Sequence, residues 1–398
     1  MKEGPYKVEK GPGSEYEAAA SLGTLLLIDD RNANQKANEL CNRLGMDVIS
    51  AGASVAFATE AFEAGLLTGA DTGGVELGWG RPDVLMDLLQ KTARREGIGD
   101  DLAEGVKIMS SKYGGEEMAL HVKGMEIPMH DPRALWGMAL TYATSIRGAC
   151  HCADANLYVE LGILDLGELG VKRTWPYKAK GKAAQTVAAQ KKGVLANSVV
   201  ICEYVWNAMG GHMSDMAELL SAVTGFDYDF EELKVTGDRI WYLKRALGSL
   251  MGATRQDDEL PRRVLEPHPE GPTSSLHLAV YPQFMSLGPV QKLQIDKLTR
   301  TLAGTLSKYV YPRMDGILGS LNKLPGFSSK RRRLSRNHQG EREKMTVPFR
   351  KMLEEFYDLR EIDVEGRPRR HRLELLGLGE VATALHGSRA KAEIPRAG

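Results

Sequence analysis

Ala33, Ala37, Leu40, Cys41 and Leu44 recur at i, i+4, i+7, i+8 and i+11, one apolar stripe on a helix with Cys41 turned inward. Asp30 is placed to cap its start and Gly45 its end, so the pattern predicts a helix over 31–44. A second helix is predicted from about Ser54 to Ala64, stopping at Gly65. A third opens at Pro82, with Val84, Leu85, Leu88 and Leu89 on one face, and runs toward Glu96-Gly97. Residues 119–128 alternate as extended chain, and His130-Asp131-Pro132-Arg133 reads as a turn because the residue before a proline is pushed out of the helical region. Downstream, Asp229 can cap a helix over 230–251 whose stripe is Ile240, Leu243, Leu247 and Leu250. The expectation is a mainly α protein in two helical domains, 1–125 and 126–398, without the strand and helix alternation of a parallel sheet.

Composition narrows the class. The 398 residues contain 52 Lys plus Arg and 52 Asp plus Glu, so no global field draws the chain to nucleic acid or an anionic membrane. Lys330-Arg331-Arg332-Arg333 is the local exception. It lacks interleaved aromatic residues for base stacking and reads as a solvated loop rather than a nucleic-acid site. The N-terminus has no apolar signal core, and the uncharged run from Gly271 to Gln291 is broken by Pro272, Pro282 and Pro289, so no membrane span is expected. Four irregularly spaced cysteines fit a reducing compartment, and the expectation is a cytoplasmic protein.

Three strings carry candidate chemistry. Cys150-His151-Cys152 packs soft ligands together, but adjacent side chains diverge and closed zinc sites use wider spacings, so small buried cysteines flanking a polar histidine is the simpler reading. Glu15-Tyr16-Glu17 sets two carboxylates before a small apolar run. One is suited to a helix N-terminus, and burial would raise the pKa of either toward the range useful in proton transfer. Gly73-Gly74 and Gly78-Trp79-Gly80 match neither nucleotide-binding glycine pattern.

Several strings taken together resemble the aldehyde ferredoxin oxidoreductase family. They are Gly11 to Glu17 with Leu22-Gly23, Ala37 to Asp47, Arg95 to Gly99 with Leu102 to Gly105, Asp131-Pro132-Arg133, Tyr142 to Ser145, and Arg147 to His151. Near the end, Phe356 to Arg360 and Leu375 to Gly379 follow the same order. The resemblance implies the family's two helical C-terminal domains, with an insertion at about 271–345. It also implies that the family's N-terminal β-rich domain, which covers a tungsten or molybdenum bis-pterin, is absent, along with the Cys-x-x-Cys-x-x-x-Cys string for a 4Fe-4S cluster.

Carried over position by position, the resemblance makes Glu17 an active-site base and His151 an electrophilic or acid partner. Asn42 and Asp47 stand in one pterin motif, Asn42 replacing an aspartate. Asn197 and Cys202 stand in the other, Asn197 replacing an aspartate, with Cys202 the single cluster ligand. Ala153 stands where one branch has a pterin-contacting lysine, and Lys36 and Met86 where that branch bridges two subunits through a metal, a role neither side chain suits. The implied activity is oxidation of an aldehyde to a carboxylic acid, with electrons passing through the cluster to ferredoxin, once a chain bearing the missing domain completes the site. Reduction of an acyl thioester, as in a related branch, and a non-catalytic remnant acting in binding or assembly stay open, because one cysteine cannot hold a cluster.

Overall fold

The structure, a computed structural model, describes residues 3–208, 211–267 and 346–387. The expected insertion at 271–345, with the basic run and the proline-broken segment, lies outside the described residues. Helices dominate, and the described strands form a single short hairpin.

The first hydrophobic cluster is built by α1 (Tyr16–Ser21), α2 (Arg31–Leu44), α3 (Val48–Glu63), α4 (Pro82–Arg94), α5 (Ile98–Glu104) and α6 (Val106–Tyr113). Its interior includes Leu22, Leu40, Cys41, Phe57, Leu85, Leu88, Leu89 and Ile98. Helix α2 has the expected bounds. Asp30 accepts from the amides of Asn32 and Ala33, and Gly45 closes the helix in the left-handed region. Cys41 is fully buried, and burial pushes its thiol up to about 12.

Helix α3 departs from the expectation, starting at Val48 rather than near Ser54. Asp47 caps it by accepting from the Ser50 amide, and Gly52 within it lets α1 approach. A Cβ there would meet the Ser21 carbonyl oxygen at 2.4 Å.

The extended segment is a hairpin of β1 (His121–Val122) and β2 (Met125–Glu126), turned by Lys123 and Gly124, both at positive φ. It is tied on two sides. Glu126 accepts from Ser50 Oγ of α3 at 2.7 Å and from the Val106 amide of α6 at 3.0 Å. Lys123 reaches the other way, to buried Asp258 at 2.8 Å and the Ala143 carbonyl at 2.5 Å.

The second large cluster gathers α7 (Trp136–Thr144), α9 (Lys182–Ser198), α12 (Phe230–Leu250) and α14 (Phe349–Leu359). Between them lie α8 (Asn156–Glu160), α10 (Glu203–Ala208), α11 (Met213–Thr224) and α13 (Arg262–Leu265). Helices α15 (Arg370–Leu375) and α16 (Gly379–His386) follow. The segment at 346–387 thus returns to the same core as α7 and α12. Arg360 at its centre is buried, donates to Asp238 at 3.0 Å, and stacks 4.0 Å from the Trp241 ring.

Helix α12 has the expected extent and Asp229 cap, but the expected inward stripe is wrong. Leu243, Leu247 and Leu250 are 45%, 55% and 51% exposed, while Leu233, Trp241, Tyr242, Arg245 and Ala246 are buried. Two aromatic rings carry more apolar area than the leucines, and Arg245 is drawn inward by Asp258, so together they select the buried face. Among the described residues, no helix is long and apolar enough to cross a membrane.

Candidate functional site

Helix α1 is short, and its N-terminus defines the site. Glu15 caps it, accepting from the Ala18 amide at 3.0 Å, as its position before a small-residue run suggests. Glu17 lies inside the helix and is 3% exposed. Its Oε2 accepts the Met129 amide at 2.8 Å, and its Oε1 lies 2.5 Å from His130 Nδ1 and 3.8 Å from His151 Nδ1. Glu17 and His151, distant in sequence, therefore meet.

Residue His130 sits between them and was read from sequence only as part of a turn. Its ring stacks on His151 at 5.3 Å between centroids and packs against Tyr16 at 4.7 Å. Two tyrosines clamp its backbone. Tyr16 donates to the Met129 carbonyl at 2.8 Å, and fully buried Tyr142 donates to the His130 carbonyl at 3.0 Å. Asp131 closes the turn by accepting from the Arg133 amide and guanidinium. A histidine immediately before an Asp-Pro turn was the available signal, but nothing local says which carboxylate it faces.

The electrostatics correct one expectation. Burial by itself pushes the Glu17 carboxyl up, but the His130 hydrogen bond, the Met129 amide and the neighbouring imidazoles together hold it below the usual value. Glu17 is thus a carboxylate stabilised in its charged form, not one raised toward neutrality. Burial lowers His151 despite the attraction of Glu17, and its Nδ1 is buried without a hydrogen-bond partner. Burial therefore favours the neutral form of His151, against the pull of Glu17.

Around this pair, Arg147 Nη2 donates to Cys150 Sγ at 2.5 Å, and burial pushes the Cys152 thiol up to about 12. Among the described residues, no group of three His, Cys, Asp or Glu is placed to hold a metal. A cavity of about 420 Å³ opens beside them, lined in part by Arg147, Cys152, Asp154, Asn197 and Lys244. Asn197 Nδ2 donates to the Cys152 carbonyl at 3.0 Å, tying the end of α9 to the turn that carries His151.

Asp154 went unremarked in sequence. It is buried, accepts from Thr141 Oγ1 and the Asn156 amide, and burial raises it to about 7. Glu203 is raised to about 8 by burial, and both its carboxylate oxygens are buried without partners.

The remaining candidate positions are dispersed. Asn42 is exposed, with its Nδ2 turned to the Asn38 carbonyl at 2.8 Å. Asp47 lines a separate cavity of about 410 Å³ with Ser50 and Glu126. Cys202 is exposed, just before α10. Lys36 and Met86 line a cavity between α2 and α4, with Lys36 paired to Glu39 at 2.8 Å.

Comparison with known proteins gives these positions a context. Tungsten-containing aldehyde ferredoxin oxidoreductases of Pyrococcus furiosus and Thermococcus kodakarensis are 35% and 34% identical to the chain over 269 residues. Each match covers 65% of this chain and 42% of the relative. The aliphatic sulfonate oxidoreductase, WOR-like subunit, of Pyrococcus furiosus is 31% identical over 286 residues, covering 68% of this chain and 41% of that protein. The chain thus spans about two fifths of the length of these relatives. Among solved structures, the active site complex BamBC of benzoyl coenzyme A reductase with 1,5 dienoyl-CoA is similar in fold, with a TM-score of 0.60. It is 17% identical, over 94% of this chain and 51% of that one. A family model described as aldehyde ferredoxin oxidoreductase, domains 2 and 3, matches residues 1–286, and the chain belongs to that family.

Proposed function

We propose that the chain forms the two helical domains of an enzyme resembling aldehyde ferredoxin oxidoreductase, completed by a partner chain that carries the cofactor-covering domain. The reaction is oxidation of an aldehyde with water to a carboxylic acid, with two protons released to solvent and two electrons passed to ferredoxin. The observation that supports this reading best is the buried Glu17 carboxylate held against two imidazoles, at positions matching the family's active-site pair.

Three side-chain oxygens fit a heterocycle rich in N–H groups. Asn42 and Asn197 each spend the amide nitrogen on a neighbour and Asp47 spends Oδ1 on the Ser50 amide, while the single Oδ1 of each asparagine and Oδ2 of Asp47 accept no hydrogen bond among the described residues. These three would hold the tungsten or molybdenum bis-pterin, which supplies the two-electron chemistry when bound. Glu17 acts as general base, kept ionised by the Met129 amide and His130. His151, favoured in its neutral form by burial, would donate its single N–H to a substrate carbonyl oxygen.

The cysteines of this chain do not fit a 4Fe-4S cluster on their own, which normally takes four thiolates. Cys41 is sealed in a core, Cys150 is buried against Arg147 and half-buried Cys152 has its thiol pushed up to about 12, while exposed Cys202, at the position the family resemblance assigns, would supply one ligand. A partner bearing Cys-x-x-Cys-x-x-x-Cys would supply the other three. Elemental analysis of the chain purified alone and after co-expression with such a partner tests the proposal. Tungsten or molybdenum with iron only in the co-expressed complex is expected. Near-stoichiometric metal in the isolated chain overturns the shared site, and a stable complex that never loads metal favours a binding or assembly role.

A further inference from the structure

A second cavity, of about 400 Å³, adjoins the one lined by Cys152 and Asn197 and shares Ile146, Arg147 and Lys244 with it. Its wall carries four cations: Lys107 from the first turn of α6, Lys123 from the hairpin turn, Arg147, and Lys244 from α12. Asp257 is the acid among its lining residues, and its carboxylate already accepts from the amide and hydroxyl of Thr254 at 2.7 and 3.0 Å. Lys123 is likewise committed, to Asp258 and the Ala143 carbonyl.

The other three are not neutralised. Among the described residues, Lys107 and Lys244 make no hydrogen bond or ion pair through their ammonium groups, and Arg147 contacts the Cys150 sulfur but no carboxylate. The placement works against folding. Like charges gathered around one concavity repel, and a lysine in the first turn of a helix opposes the helix dipole. Half-buried Lys91 and Lys234 are paired with an acid on their own helix, whereas Lys107, Arg147 and Lys244 converge on one cavity with no carboxylate paired to any of them. An uncompensated set at a shared cavity calls for an anion.

We propose that this cavity binds the phosphate of an organic ligand whose other end enters the neighbouring cavity lined by Cys152, Asp154 and Asn197. The Arg147 fork suits two phosphate oxygens, and Lys107 and Lys244 add point charges. Ile146, Leu247 and Met251 give the wall an apolar side, which suits a phosphate carried on an organic body better than a free ion. Arg147 and Lys244 line both cavities, so a ligand held by them at one end would have the other cavity next to it. The phosphate could belong to the pterin itself or to the tail of a coenzyme A thioester. The inference does not depend on which redox reaction the site performs.

The test is calorimetric titration of the full chain, at low ionic strength, with inorganic pyrophosphate and with adenosine 3′,5′-bisphosphate. Saturable binding is expected, weakened roughly tenfold by Lys107→Gln or Lys244→Gln, again by Arg147→Lys, and lost in the double lysine variant. Lys234→Gln, which removes an equal charge elsewhere, should leave binding unchanged. Because Lys107 and Lys244 are exposed, the circular-dichroism spectrum and melting temperature of their variants should match the parent. Preference for the nucleotide assigns the anion to a coenzyme A tail, and equal affinity assigns it to a simpler phosphate such as that of the pterin. No saturable binding of either probe up to about 10 mM, or a double variant that binds as tightly as the parent, overturns the proposal.

Discussion

Asp258→Asn should be among the most damaging single-atom changes in the chain. The Asp258 carboxylate is fully buried and serves three partners. Arg245 donates at 2.9 Å and pairs at 2.8 Å, Lys123 lies at 2.8 Å, and the Tyr357 hydroxyl donates at 2.5 Å. An amide removes the charge while leaving buried Arg245 and mostly buried Lys123 in place, and breaking a buried pair from one side costs about 3–5 kcal/mol. Two stranded cations argue for the upper half of that range, so about 4 kcal/mol. With a urea dependence near 3 kcal/mol per molar, the unfolding midpoint should fall by roughly 1.3 M. The pH dependence has a definite sign. Burial pushes the Asp258 carboxyl up, but Arg245 and Lys123 outweigh it and hold it below the usual value. The stabilisation is therefore present above about pH 4, the unfolded value, and is lost as pH falls through the folded one, so parent and variant converge in acid. Adding Lys123→Met to Asp258→Asn should recover part of the loss, because one stranded cation is gone. A midpoint within about 0.3 M of the parent at neutral pH would refute the idea that this network pins the hairpin to the second core.

Asp154→Asn should gain stability relative to the parent as pH rises from about 4 to 8. The parent carboxyl, raised to about 7, must ionise in a buried site at a cost on the order of 4 kcal/mol, and urea titrations at the two ends of that range measure the difference. Gly193→Ala should cost about 1–3 kcal/mol in the same assay, because a Cβ there would lie 2.4 Å from the Asp154 Cα and force α9 off the turn beside His151. In the metal-loaded complex, Glu17→Gln should lower kcat for aldehyde oxidation by roughly 10²- to 10⁴-fold with little change in melting temperature, whereas an unchanged kcat would remove Glu17 from the base role.

Much of the local structure was legible in the amino-acid order. Asp30, Gly45, Asp229 and Pro82 mark helix ends through bonds and dihedrals within a few residues of themselves, and the bounds of α2 and α12 follow from them. The order of motifs also identified Glu17 and His151 as a pair through family resemblance, where periodicity alone offered only a helix-terminal acid and a histidine among cysteines. Three features required the folded chain. His130 faces Glu17 only because the loop after the hairpin is clamped by Tyr16 and Tyr142. The carboxyl of Glu17 is lowered rather than raised because the donors that meet it come from residues 129, 130 and 151. Helix α12 buries Trp241 and Arg245 instead of its leucine stripe because Asp258 and the rings of α14 lie on that side. Caps and apolar stripes are short-range and can be read one segment at a time. Which charge meets which donor, and which face of a helix finds the larger surface, depends on segments brought together from far apart, and only tertiary packing decides it.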